Sequence, residues 1–303
     1  MRRLVSVLIV MGLAAFAAGL LLTRPVSVPA AELAGLSGDA VAGEAVFWAA
    51  GCASCHAAED ATGEARLVLS GGQRFPSDFG TFVAPNVSMD PEHGIGDWTF
   101  PQFVTALQEG ISPEGRHYYP AFPYPAYRLA TRQDLADLWA FWQTLPSSDA
   151  PSAPHELGFP FTIRRTVGVW NLLNLSDDFV VTGDLTAEQA RGRYLAEALA
   201  HCGECHTPRN ALGGLDRAAW LAGAPDPSGS GRIPPLTPDE LRWSEAEIAA
   251  YLTDGFTPSF DSAGGHMASV IRNLGQLASA DRFAIAAYLK ALPEPAEDGT
   301  IPY

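Results

Sequence analysis

Positive charge is scarce in this chain. Lysine and arginine together number 19 of 303 residues, against 34 aspartates and glutamates, which leaves a formal charge of −15 and a pI near 4.8. No basic stripe is available to neutralise phosphates, so nucleic acid is not a partner. The acidity permits steering toward a basic partner. Cysteine and methionine are scarce too, with four of each. Flavin, molybdopterin and nucleotide fingerprints are absent, and nothing reads as an organic-substrate pocket with paired acid and base groups. What is plentiful is apolar: 47% of the residues, enough for two ordinary domains with real cores, and too much for a disordered chain.

Some of that apolar content is at the N-terminus. Arg2 and Arg3 precede an uncharged run from Leu4 to Leu22, 19 residues long. A secretory signal has an apolar core of roughly 7–15 residues and a spanning helix needs about 20, so the run fits a membrane anchor. Val28 and Ala30 in "SVPA" suit a cleavage site, which keeps a cleaved signal open as the alternative. Either way the two arginines stay in the cytoplasm and the body of the protein is exported, with Arg24 on the far side a weak counterweight.

The four cysteines fall in two motifs, "CASCH" at Cys52–His56 and "CGECH" at Cys202–His206. C-x-x-C-H is the attachment pattern of c-type haem. The two-residue gap sets two thiols at the separation of the haem vinyl groups, and the next residue, His56 or His206, is held under the iron as proximal ligand. A redox dithiol or a shared zinc site is the competing reading of a lone C-x-x-C. A histidine directly after both pairs, with no cysteine left over, points to two covalently bound haem c groups on Cys52, Cys55, Cys202 and Cys205.

The chain also repeats itself. "GEAVFWAAGCASCH" before the first motif parallels "GRYLAEALAHCGECH" before the second. "APNVSM" (84–89) parallels "IPPLTP" (233–238). "WTFPQFVTALQEG" (98–110) parallels "WSEAEIAAYLTDG" (243–255), each with a capping box, Thr99 with Gln102 and Ser244 with Glu247, and each ended by glycine, Gly110 or Gly255. "WAFWQTLP" (139–146) parallels "AAYLKALP" (286–293), amphipathic helices stopped by proline, with Phe141 and Tyr288 as contacts to the N-terminal helix of the same unit. The order resembles the small monohaem cytochrome c fold, twice over. The expected fold is therefore all-α: two tandem class I-like cytochrome c modules with long loops behind an N-terminal apolar helix. The boundaries are 1–35 for the anchor or signal, 36–146 for the first module, 147–184 for a linker and 185–297 for the second module. The linker opens as Pro/Ser/Ala and turns apolar around Trp170, Leu172 and Leu173, so its second part should pack on the modules and fix their relation.

In such carriers a His/Met pair commonly holds the iron and raises its potential. Met1 and Met11 lie in the leader, leaving Met89 and Met267. Met267 lies in "FDSAGGHM", a glycine-rich loop ahead of the closing helix, where the fold presents its distal ligand, and is assigned to the second haem. Trp243 and Met267 are 24 residues apart; the same step from Trp98 lands on Phe122, whose ring has no lone pair for a metal. Met89 aligns instead with Pro238. Three outcomes stay open for the first haem. Its iron is five-coordinate and Phe122 shields its distal side; or a neighbour ligates, with His117 preferred over Tyr118, Tyr119, Met89 and His93; or the loop shifts register. His155 reads as a linker residue, and His201 and His266 as residues that merely flank ligands.

From Gly38 to Pro293 the chain resembles the cytochrome subunits of periplasmic membrane-bound alcohol, aldehyde and gluconate dehydrogenases. "FGTF", "APNVSMDPEHGIGDW", "GRHYYPAFPY", "HCGECHTPRNALGGLDRAAWLAGAP" and "FTPSFDSAGGHM" carry the likeness. Those subunits typically have three haems; this chain has two attachment sites and resembles a shortened relative. In that family the third residue of P-A-x-P-Y is commonly a ligating methionine, and here it is Phe122. The resemblance also implies that the Pro85 and Pro234 carbonyls accept the N–H of His56 and His206. It implies a carrier that takes electrons from a periplasmic dehydrogenase and passes them to a cytochrome, quinone or oxidase. The place would be the periplasmic side of the inner membrane, anchored by residues 4–22, or the soluble periplasm after cleavage near Ala30. The rival is a haem enzyme, peroxidase-like or working on small ligands at an open first haem, with Arg116 and His117 as distal groups.

Overall fold

The computed structural model describes residues 2–227 and 231–293; the last four residues of the expected second module, 294–297, lie outside them. Arg2–Leu22 is one helix with no residue buried in the protein. It is the one helix among the described residues long and apolar enough to cross a membrane. The segment after it is seated on the body: Val28 and Leu33 are buried, and the Val28 N–H donates to Thr105 Oγ1 at 3.0 Å.

The first half is built on a crossed helix pair. Helix Ala40–Ala49 starts where the Asp39 carboxylate accepts the Val41 N–H, an N-cap contributing about 1 kcal/mol. It packs on helix Arg132–Trp142, capped by Thr131. Gly43 permits the approach: a Cβ there would stand 2.9 Å from Phe141 Cβ and overlap the Asp137 carbonyl. Phe47 is wholly buried between Trp48, Phe141 and Trp142, with ring centroids 4.9, 5.3 and 5.8 Å away. Its burial contributes roughly 1.5–3 kcal/mol. Between the pair lie the Cys52–His56 turn, helix Phe100–Glu109 and the short helix Tyr124–Tyr127.

The second half repeats these contacts. Helix Ala187–Arg193 packs on Ser279–Lys290, and a Cβ on Gly192 would stand 2.8 Å from Tyr288 Cβ. Phe141 and Tyr288 are thus the contacts the sequence indicated. Both expected capping boxes form, and Gly110 (φ 62°) and Gly255 (φ 80°) close helices Phe100–Glu109 and Glu245–Asp254 in the left-handed region. Gly192 is ten residues before Cys202, whereas Gly43 is nine before Cys52. The extra residue is absorbed by a π-helical stretch, Tyr194–Leu199, which lets the second attachment segment leave its helix as the first does.

The all-α expectation needs one correction. The structure is mostly helical, but its long loops hold two small antiparallel sheets. Arg74–Ser77, Gly80–Val83 and Glu156–Leu157 pair in that order, with Arg74 opposite Val83 and Thr81 opposite Glu156, and Ala224–Pro225 pairs with Arg232–Ile233. Strands of two to four residues, two of them containing proline, carry too little alternation to be read from sequence.

The linker does not swing free. Its helix Arg165–Asn174 touches both halves: Asn171 accepts from Tyr124 O–H at 2.6 Å, and Trp170 Nε1–H donates to the Leu212 carbonyl at 3.1 Å. Asn86 of the "APN" segment donates to the Ser148 and Ala150 carbonyls, 2.8 Å each, pinning the linker's start.

Candidate haem sites

Each Cys-x-x-Cys-His segment is a short helical turn entered through left-handed backbone, at Gly51 (φ 68°) in the first and His201 (φ 42°) in the second. The Gly51 position costs a glycine little and a histidine more. None of the four cysteines is in a disulfide. Burial pushes the thiols of Cys52 and Cys202 up to about 12 and that of Cys55 up to about 11. Among the described residues no group of three His, Cys, Asp or Glu side chains gathers as a metal-ion site. That disfavours the shared zinc site.

The histidines are oriented alike. His56 Nδ1 lies 2.9 Å from the Pro85 carbonyl, and His206 Nδ1 lies 2.7 Å from the Pro234 carbonyl. A carbonyl only accepts, so Nδ1 carries the proton and the lone pair is left on Nε2. Burial holds both imidazoles below the ordinary histidine range, and the carbonyls pull partly the other way. A neutral ring with a free Nε2 is what an iron needs. A glycine lets each carbonyl come that close. The Gly71 N–H donates to the His56 carbonyl at 2.8 Å, and the Gly223 N–H to the His206 carbonyl at 2.7 Å. Gly71 (φ 71°) lies so near Pro85 that a Cβ would meet its carbonyl oxygen at 2.5 Å; a Cβ on Gly223 (φ 80°) would stand 2.9 Å from Ile233 O and Pro235 N. The two L-x-G triplets, 69–71 and 221–223, were the available signal for this pair, and sequence reasoning passed over them. Two thiols one helical turn apart, a following imidazole with its outer nitrogen free, and a second histidine–carbonyl pair of the same design fit a covalently attached haem at each segment.

The loops that follow Gly110 and Gly255 run in parallel. Tyr118 N–H donates to Gly110 O at 2.7 Å and Ala263 N–H to Gly255 O at 2.9 Å; Ser112 N–H donates to Arg116 O at 2.9 Å and Thr257 N–H to Asp261 O at 2.8 Å. Every pair is 145 residues apart, the spacing of Trp98 and Trp243. The register therefore holds to Tyr118 and Ala263, four residues short of Phe122 and Met267. Met267 lies half-buried in the first turn of helix Gly265–Leu274. Phe122 lies half-buried against Tyr118, Tyr127 and Tyr124, centroids 5.8, 5.9 and 6.2 Å away.

His117 is held at the end of the N-terminal helix. Its ring is buried, and Nε2–H donates to the Thr23 carbonyl at 3.0 Å, at the end of the N-terminal helix. Burial, with Arg165 nearby, lowers its basicity. Arg116 is exposed and pairs with Glu114 at 3.3 Å. Tyr119 donates to Phe161 O at 2.7 Å, and His93 sits 3.3 Å from Asp90. His155 accepts the Val83 N–H at 3.1 Å. His266 packs against Phe75 with the rings tilted by 32° and centroids 5.5 Å apart. His201 is more than a flanking residue: its ring meets Tyr127 at 5.6 Å and lies against Gly51, so the residue preceding Cys202 touches the residue preceding Cys52. Asn273 Nδ2–H donates to Ser54 Oγ at 2.6 Å across the same junction. The two attachment segments are neighbours.

Comparison with known proteins agrees with this construction. Residues 40–146 match the cytochrome c family. A dihaem c-type cytochrome of Cereibacter sphaeroides is 58% identical over 97% of this chain and 99% of its own length. The fructose dehydrogenase cytochrome subunit of Gluconobacter japonicus is 38% identical over 83% of this chain. The cytochrome c subunit of the quinone-dependent alcohol dehydrogenase of Gluconobacter oxydans is 34% identical over 83%. The match spans about half of each of these last two, 52% and 54%. The chain belongs to the family of dihaem c-type cytochromes, related to the cytochrome subunits of dehydrogenases.

Proposed function

We propose that this chain is a two-haem electron wire held at the periplasmic face of the inner membrane, taking electrons from a dehydrogenase and passing them to a cytochrome, quinone or oxidase. The observation that carries it is the duplicated cradle, two Cys-x-x-Cys-His turns with matched histidine–carbonyl bonds, whose leading residues touch through His201 and Gly51. Bound haem c supplies reversible one-electron chemistry. The protein's share is to hold it. Cys52 and Cys55 attach the first haem and His56 faces its iron; Cys202, Cys205 and His206 do the same for the second. Met267 would offer the second haem a neutral thioether, a donor that favours the reduced state. Phe122 stands at the equivalent position of the repeat in the first half and would offer no donor atom to an iron there, while His117 Nε2–H is held by the Thr23 carbonyl.

In this reading the units are an anchor 1–35, a module 36–146, a linker 147–184 and a module 185–297. The anchor is retained, because cleavage after Ala30 would discard Val28, which the folded body buries and hydrogen-bonds. Arg2 and Arg3 set its orientation. The dehydrogenase donor follows from the relatives named as dehydrogenase cytochrome subunits. An enzymatic role draws little support from the first site, where Arg116 is exposed and paired with Glu114 and His117 Nε2–H is held by the Thr23 carbonyl. The test is a haem count with ligand challenge. Two haems per chain, and carbon monoxide or cyanide binding without peroxide turnover, support the wire. A single haem, or sustained peroxide turnover, sinks it.

A further inference from the structure

The linker exposes Phe159, Phe161, Ile163, Val169, Leu172 and Leu173 within fifteen residues. Phe159 is 82% and Leu173 63% exposed, far more than a side chain resting on its own protein. Val169, Leu172 and Leu173 are spaced i, i+3, i+4 on helix Arg165–Asn174 and share its outer face, while Val167 and Gly168 on the inner face are buried. A concentration of exposed apolar side chains of this kind marks a contact with something else.

The same helix shows what that is, because it seats the end of the N-terminal helix. Arg165 donates to the Leu20 carbonyl, and His117 Nε2–H donates to the Thr23 carbonyl at 3.0 Å. Both are among the terminal carbonyls that a helix otherwise leaves without partners. Gly168 fits beneath them so closely that a Cβ would stand 2.7 Å from Thr23 O and 2.9 Å from His117 Nε2. The anchor is therefore docked, not tethered. The point at which it leaves lipid is fixed on helix Arg165–Asn174, one turn from the exposed Val169, Leu172 and Leu173. Arg24, just past the end of the N-terminal helix, is exposed, a cation suited to lipid phosphate.

We propose that residues 158–174 form an interfacial membrane patch, with the lipid bilayer surface as its occupant and the apolar face of helix Arg165–Asn174 lying in the headgroup–acyl boundary. The patch rests on the reading of Arg2–Leu22 as a retained anchor. It adds a second contact, which holds the haem-bearing body in one orientation on the membrane.

The test uses the full-length, haem-loaded protein in liposomes of phosphatidylethanolamine and phosphatidylglycerol that carry a photoactivatable diazirine near the headgroup end of the acyl chain. Peptide mapping locates the lipid adducts. Adducts on both the 2–22 and 158–174 peptides are expected. In the double variant Leu172→Asp, Leu173→Asp the second set is lost and the first is retained, with the haem spectrum unchanged. Adducts on 2–22 alone in the unaltered protein overturn the patch, leave the anchor standing and assign the apolar face to a protein partner. Adducts on neither overturn the anchor and the patch with it.

Discussion

Gly71→Ala is the sharpest probe of how the fold sets the first haem's proximal side. Gly71 has φ 71°, where an added Cβ costs about 1–2 kcal/mol in backbone strain. That Cβ would also stand 2.5 Å from the Pro85 carbonyl oxygen and 2.6 Å from Ala84 O, well inside ordinary contact. The carbonyl must retreat, and the atom that gives way is the one accepting from His56 Nδ1 at 2.9 Å. Losing that bond costs a further 0.5–1.5 kcal/mol or so, for a total of about 1.5–3.5 kcal/mol. The functional consequence has a definite sign. A hydrogen bond from Nδ1–H makes the ring a stronger donor and favours the ferric state, so its loss raises the midpoint potential of the first haem. If about 1 kcal/mol of the bond distinguishes the two oxidation states, the rise is about 40 mV. Gly223→Ala meets its neighbours at 2.9 Å instead, so the second haem should shift the same way by less. Spectroelectrochemical titration of both variants reads this directly. A first-haem midpoint that stays put or falls in Gly71→Ala refutes the reasoning.

Three further outcomes follow from the second half. Burial holds the Glu197 carboxyl above its ordinary range, while Tyr288 and the Val180 and Val181 N–H groups oppose the shift. Its contribution is complete below the unfolded glutamate value and is lost as pH rises through the raised folded value; thermal scans from pH 4 to 8 should show that decline, and Glu197→Gln should flatten it, whereas an unchanged slope would place the titration elsewhere. Tyr288→Phe removes the donor to Glu197 at 2.7 Å and leaves the buried Trp220 Nε1–H, now 3.0 Å from the hydroxyl, without an acceptor. The expected loss is about 3 kcal/mol in denaturant midpoints, and a loss below about 1 kcal/mol would mean the network is slack. Met267→Ala should turn the second haem high-spin and lower its potential while leaving the first unaltered; a spectrum like that of the unaltered protein would remove Met267 from the iron.

What the sequence disclosed was mostly local. Thr99 with Gln102, Ser244 with Glu247, Gly110 and Gly255 act on backbone within a turn of themselves, so the helix ends could be read without the fold. The 145-residue ruler from Trp98 to Trp243 also survived, because the loops beyond Gly110 and Gly255 make the same hydrogen bonds. His117 was harder. In sequence it neighbours Phe122 and offers a plausible ligand; in space its ring belongs to Thr23, 94 residues away, and no local pattern announces that. The third strand was invisible for a similar reason, since Thr81 pairs with Glu156, 75 residues later. The π-helical stretch, by contrast, was legible and unread. It needed only the one-residue difference between Gly43–Cys52 and Gly192–Cys202.

The claim at the centre of this account is that Phe122 leaves the first iron open while Met267 closes the second. Low-temperature EPR of the oxidised protein carrying two haems per chain tests it. One high-spin and one low-spin signal in equal amounts, with Phe122→Met converting the high-spin signal to a second low-spin one, is the predicted result. Two low-spin signals in the unaltered protein would contradict it, because some other side chain would then occupy the place that Phe122 leaves free.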